Sequence, residues 1–372
     1  MTVLTAASRQ WATRPNDQRF TSLTTLLDRV RAERGNSVSK TVSTRVFEVQ
    51  PVGEDHKGLQ IVGQNGTPAS MTHYSFGQLA GLAGAPAGYL RTLPSEIAAD
   101  NINYGLRFNR AAEDVKVLLT KDVSDEQVRV DLRAATGPNY GRIWNDDIVE
   151  NAVRMFGDGT REGGGRWQVP GEFRRQVPIT VANTTLFAGD RDMFIFLADE
   201  QNGVQINNRR NGSHGELARG FFLWNSEVGS TSMGIACFLY DYTCSNRMVW
   251  GVKEYKEIRL RHTVSAPDKW LEQVNPVIEA YAESSVAGIE QTIKNAQEAK
   301  IEGDLNAFLQ KRFTKTEVTQ IKEAHVREEG RPIETLWDAA TGVTAAAKKI
   351  GHQNDRVAME RKAGLLLDLV AA

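Results

Sequence analysis

The loop Asn207-Asn-Arg-Arg-Asn-Gly-Ser-His-Gly-Glu-Leu-Ala-Arg219 carries the residues best suited to chemistry with an anion. Arg209, Arg210, His214 and Arg219 stand among Asn, Ser and Gly, all of them donors to phosphate oxygens on an adaptable backbone. A second basic group follows: Lys253 and Lys256, then Arg259 and Arg261 alternating with Ile258 and Leu260. That alternation predicts a half-buried strand with a basic outer face. A third group is Arg133, Tyr140, Arg142 and Trp144, in a segment joining a strand to a helix, where stacking and phosphate-binding side chains mix. A sheet with a basic face, a basic finger and nearby aromatics is one way to track a nucleic-acid backbone. The same residues also read as a solvated turn, a charged edge that blocks aggregation, and a connector whose aromatics pack inward.

Other chemistries find less support. Gly157–Gly165 lacks a Gly-Lys-Ser/Thr ending and follows a helical pattern, so it reads as a connector and not as a phosphate loop. The six histidines are scattered, and neither an HExxH nor a CxxC spacing exists. No cofactor is expected. Glu227 and Asp241 lie in strand-like sequence, where carboxylates act as acid–base groups or, more often, as ion-pair partners. Tyr74–Pro94 suggests two short helices around Gly84, the pattern of a helix-turn-helix whose second helix, Pro86–Leu93, offers only Arg91 to a base edge.

These groups need elements to hold them. The run Leu217–Thr263 is dense in aromatic and β-branched residues and is punctuated at Gly229, Ser245-Asn246 and Gly251. It predicts antiparallel strands at Phe221–Val228, Ser232–Thr243, Arg247–Val252 and Tyr255–His262. The second is apolar on both faces and should be central. Upstream, strands are predicted over Val42–Val52, Leu59–Val62, Val177–Thr185 and Met193–Ala198, with a hairpin at Asp114–Thr120 and Val128–Ala134. A helix is predicted at Asp146–Phe156 and a loop over Gly203–Gly220. After Ala266 strand signals stop. Helices are predicted over Pro267–Ile301, kinked or split at Pro276, over Lys315–Glu329 behind a Thr314–Glu317 capping box, and over Pro332–Leu369. The fold class is α+β: an antiparallel β-sheet core, helices packed on one face and a helical C-terminal region. Three parts are expected: a small α/β lead-in (1–70), the core (71–265) and the helical region (266–372).

Composition adds bounds. The chain has 372 residues, 24% charged, with a formal net charge of −1, so any anion-binding surface must be local. Two cysteines do not make a disulfide framework, and Cys237 and Cys244 fall on opposite faces of a straight strand. There is no signal peptide h-region and no membrane-spanning run, so a cytoplasmic location is expected.

The segments FGQLAGLAGAPAGYLRTLP, LRAATGPNYGRI, FFLWNSEVGSTSM, FLYDYTCSNRMVWG and RLRHT, taken in order, resemble the phage/plasmid-like protein family, a domain of unknown function in phages, prophages and plasmids. The resemblance spans roughly Met71 to Thr263. Where the family pattern has Ser-Asp-Arg-Tyr, this chain has Gly137-Pro-Asn-Tyr140 and keeps the tyrosine. The resemblance implies a mobile element in a bacterial host and no settled chemistry. The leading expectation is a nucleic-acid binder favouring single-stranded DNA, of the annealing or recombination kind, which would assemble as a homo-oligomer. The alternatives are a helix-turn-helix regulator reading duplex DNA, and an enzyme or host-defence antagonist acting through the sheet carboxylates.

Overall fold

The computed structural model describes residues 14–53, 57–63, 66–108, 114–122, 129–170, 178–206, 215–241, 246–248, 258–284, 286–351 and 353–370. In chain order these form β1 (Arg19–Phe20), α1 (Leu23–Gly35), β2 (Ser37–Ser43), β3 (Glu48–Val52), β4 (Gly58–Val62) and β5 (Pro68–Met71). Next come α2 (His73–Leu82), α3 (Ala87–Leu90), α4 (Ser95–Phe108), the hairpin β6 (Asp114–Asp122) and β7 (Arg129–Thr136), and α5 (Asn145–Phe156). The strands β8 (Trp167–Gln168), β9 (Leu186–Ala188), β10 (Met193–Ile206), β11 (Gly215–Asn225), β12 (Met233–Asp241), β13 (Asn246–Met248) and β14 (Ile258–Leu260) follow. The last helices are α6 (Ala266–Glu283), α7 (Ala287–Glu298), α8 (Leu305–Gln310), α9 (Lys315–Glu329), α10 (Leu336–Ala347) and α11 (Gln353–Leu367).

The fold is α+β, and it is built on two sheets. The first runs β1-β9-β10-β11-β12-β13, with β8 sharing the outer edge of β10 and β14 sharing that of β12. All its pairings are antiparallel. Four antiparallel strands therefore lie within 215–260, and β12, buried along its whole length, is central as its two apolar faces require. The second sheet runs β2-β6-β7-β5-β4-β3, with one parallel pair, β5 with β7. The hairpin expected to belong to the first sheet is the centre of the second. The division expected near residue 70 falls inside it, because β2 pairs with β6 and β5 with β7.

One face of the first sheet packs Met193, Ile195, Phe221, Leu223, Ile235 and Cys237 against α1, α5 and α6. The helix α1 presents Leu23, Leu26, Leu27 and Val30 as one stripe, and Ser22 caps it through Thr25. The other face is an aromatic layer of Phe194, Phe196, Phe222, Trp224 and Phe238, reached by Val357 and Arg361 of α11. The ends of β10, β11 and β12 supply Val204, Ile206, Leu217 and Leu239 to a third core with α7 to α11. The second sheet packs one face on α2 and α4.

Several boundaries differ from expectation for local reasons. Residues 178–184 are not a strand: the Asn183 side chain accepts from the Thr180 amide and donates to the Pro178 carbonyl, which builds a turn. Of the loop expected over Gly203–Gly220, residues 203–206 and 215–220 are strand and the rest lies outside the described residues; a register shift falls between Ala198 and Gly203. Helix α6 runs through Pro276 and ends at Glu283; Pro276 is exposed, so the carbonyl it frees can face water. The third expected C-terminal helix is two, α10 and α11. Helix α9 begins at the Thr314–Glu317 capping box as read. No helix among the described residues is long and apolar enough to cross a membrane.

Candidate functional site

The connection from β7 to α5 meets the β11–β12 turn and the end of β14 at one place. Gly137, Pro138 and Asn139 form an exposed turn, closed by the Tyr140 amide donating to the Gly137 carbonyl at 3.0 Å. The Tyr140 hydroxyl donates to the Ser226 carbonyl at 2.7 Å, and its ring stacks on His262 at 4.8 Å between centroids. Lys116 donates to the Tyr140 carbonyl at 2.9 Å. The Gly141 amide donates to the His262 carbonyl, and a side chain at Gly141 would collide with the Thr263 carbonyl oxygen. Only glycine allows this approach.

Arg142 donates to the Glu227 carbonyl and lies over the rings of Tyr140 and Trp144. The Glu227 carboxylate accepts from the Asn145 amide at 2.8 Å and faces Arg133 Nη1 at 3.3 Å. Arg133 also lies 3.4 Å from Glu33 Oε2 of α1. Asn225 donates to the Ile143 carbonyl and to the Asn145 side chain. From α2, which packs on the second sheet, Tyr74 donates to the Gly229 carbonyl and Gln78 to the Val228 carbonyl. The β11–β12 turn is thus clamped between the two sheets by backbone-directed bonds.

Burial sets the electrostatics. It pushes the Glu227 carboxyl above the usual range, and the Arg133 charge only partly offsets this. Burial pulls Arg142 down to about 10 and raises Tyr140, while His262 is held below the ordinary imidazole range. For Arg133 burial acts downward, but Glu227, Glu33 and Asp190 outweigh it. A pair buried this way can hold an orientation, and little of either side chain reaches solvent.

The twelve basic and aromatic candidates therefore separate. Arg133 and Arg142 are buried, Tyr140 and Trp144 are half-buried, and all four belong to the junction. Arg133 on β7 is covered by Glu227 of the β11–β12 turn and by Glu33 of α1. Arg219 is corrected most sharply. It sits on β11 with 1% of its surface exposed, and its Nε is 3.1 Å from Asp199. Its remaining donors take the carbonyls of Tyr281, Ala282 and Ser284 at the end of α6. It is a structural cap, withdrawn from any ligand. Arg259 and Arg261 are exposed at and just beyond β14, as the alternation requires, with Ile258 and Leu260 turned toward the core. Arg209, Arg210, His214, Lys253 and Lys256 lie outside the described residues.

Glu227 and Asp241 are both buried. The second helix of the Tyr74–Pro94 pair, α3, is a single turn of four residues. Arg91 folds back beneath it, donating to the His73 carbonyl and lying over Phe76. Arg91, the residue expected to reach a base edge, is thus engaged with its own helix pair, while Tyr89 of the turn is exposed. His262, Lys116 and Asn145 join the site without having been candidates, although His262 lies within the RLRHT segment beside Arg261 and that adjacency was a usable signal. Compared with family models, curated proteins and solved structures, the chain matches none.

Proposed function

We propose that the chain is a nucleic-acid-binding protein, with single-stranded DNA the favoured ligand and strand annealing or recombination in a mobile element the setting. The observation that carries this reading is the exposure of Arg259 on β14 and of Arg261 just past it, where the strand's apolar side chains face the core and its end is fixed at His262 and Gly141. Two charges held at a firm edge can neutralise phosphates with little ordering cost. With Arg133, Arg142 and Arg219 occupied internally, the contact is an edge and not a broad sheet face. On sequence grounds Arg209, Arg210, His214, Lys253 and Lys256 extend it. The resemblance to phage and plasmid proteins supports the setting, and assembly as a homo-oligomer belongs to the same reading.

The test is fluorescence anisotropy with labelled single-stranded and duplex oligonucleotides at several salt concentrations. Single strands should bind more tightly, with little sequence preference. R259A/R261A should weaken binding and flatten the slope of log affinity against log salt by about 0.7 for each lost contact. R209A/R210A should do the same. Absence of salt-dependent binding to either form would end the proposal, and unaltered binding by R259A/R261A would remove the β14 edge from it.

A further inference from the structure

The outer face of α4 is apolar and uncovered. Ile97, Tyr104 and Phe108 are 50%, 69% and 68% exposed, and the Tyr104 and Phe108 rings lie 4.8 Å apart. With Asn101, also exposed, they fall at i, i+4, i+7 and i+11, the spacing of a helix–helix seam. The inner face is fully engaged: Ala98, Ala99, Ile102 and Leu106 are in the core, and Asn103 makes a bond each way with the Val49 backbone, both at 2.8 Å. The helix is therefore firmly seated, with its outer face presented.

Charge beside the seam identifies the occupant. Asp100 and Arg107 are exposed seven residues apart on the same flank, and neither makes an ion pair among the described residues. When two such helices pair antiparallel about a two-fold axis, Ile97 of one meets Phe108 of the other, and Asn101 meets Tyr104. Asp100 then meets Arg107, and every contact occurs twice. A parallel pair would set Asp100 beside the position of Gly105 and gain nothing.

We propose that α4 is a self-complementary docking face that takes the α4 of a second copy of this chain, antiparallel. The proposal specifies how copies meet within the homo-oligomer part of the reading above, and it holds or fails without reference to nucleic acid. A helix of 14 residues spans about 21 Å, so this pairing is modest in area and should be concentration-dependent.

The experiment is sedimentation of the full chain without nucleic acid, from low to high micromolar. The chain should move from monomer toward dimer. Y104D/F108D should weaken the dimer by at least ~30-fold with an unchanged melting temperature, since both side chains are largely in solvent. D100R and R107D should each weaken it roughly tenfold by opposing like charges, and D100R/R107D together should return it close to the parent. A chain that stays monomeric throughout overturns the proposal, as does an oligomer indifferent to Y104D/F108D. Failure of the double exchange to rescue overturns the antiparallel register.

Discussion

An arginine in a sequence does not announce whether it will stay in water or meet a buried carboxylate, and β12 is flanked by one of each, exposed Arg259 on β14 and buried Arg219 on β11. Arg219 shares its strand parity with Phe221 and Leu223, whose side chains are in the core, so its inward direction was legible in the alternation. What was not legible was its partner, because Asp199 lies on β10 and the carbonyls it caps lie more than 60 residues on. Arg219→Met should cost ~3–5 kcal/mol by leaving Asp199 buried and partly unpaired, measured by urea denaturation, and the salt slope of binding should not change. The two buried acids should respond to pH in opposite directions. Burial pushes the Asp199 carboxyl up, but Arg166, Asn202, the Gln201 amide and Arg219 outweigh it and hold it below its usual range. Its stabilising contribution is present above the ordinary aspartate range and is lost as pH falls through the lowered value. Glu227 is raised, so its contribution is complete below the ordinary glutamate range and is lost as pH rises through the raised value. Asp199→Asn should therefore lose less relative to the parent as pH falls. Glu227→Gln should compare more favourably as pH rises. Denaturation midpoints at stepped pH decide it: parallel curves for parent and variants would refute both assignments.

At the scale of elements, local signals located what local forces build. Strand β12 was readable because both its parities are apolar, and α9 because a capping box is complete within four residues. The expected loop over Gly203–Gly220 misled because its glycines look like turns. Gly203 sits instead at a register shift, and Gly220 lies opposite Phe238 of β12, where a side chain would collide with the ring. The end of α6 was hidden for another reason: the side chain that caps it comes from β11, whereas Pro276, the conspicuous local breaker, faces solvent. Gly234 offers a test of how β14 is held. A side chain there would fall 2.5 Å from the Ile258 carbonyl and strike Trp224. Gly234→Ala should cost ~1–3 kcal/mol and loosen β14 from β12. Hydrogen exchange at Ile258 and Leu260 should rise more than at the β10–β11 pairs; equal change everywhere would show that β14 is not held there.

For the whole molecule, the second sheet was the part the sequence concealed. Its strands are individually weak, and they pair across intervals of roughly sixty to seventy residues that no periodicity records, Val42 with Val115 and Ser70 with Asp131. The C-terminal helices were legible as helices, but not as the cover for β10, β11 and β12. A chain ending at residue 265 should lose α6 from one sheet face and expose Val204, Ile206, Leu217 and Leu239. It should aggregate or bind a hydrophobic dye strongly where the full chain does not. A soluble, cooperatively folding 1–265 fragment would show that the helical region is dispensable to the core.

Cys237 of β12 lies beneath Tyr281 of α6, and burial pushes its thiol up to about 12. A thiol so placed is nearly inert toward alkylating or disulfide reagents while the helix stays down. In a Cys244→Ser background its labelling rate becomes a clock for the lifting of α6 from the sheet. Arg219 ties the end of that helix to β11, the strand beside Cys237, so Arg219→Met should speed the clock as it lowers stability. The sheet thus carries its own reporter of how often the molecule opens.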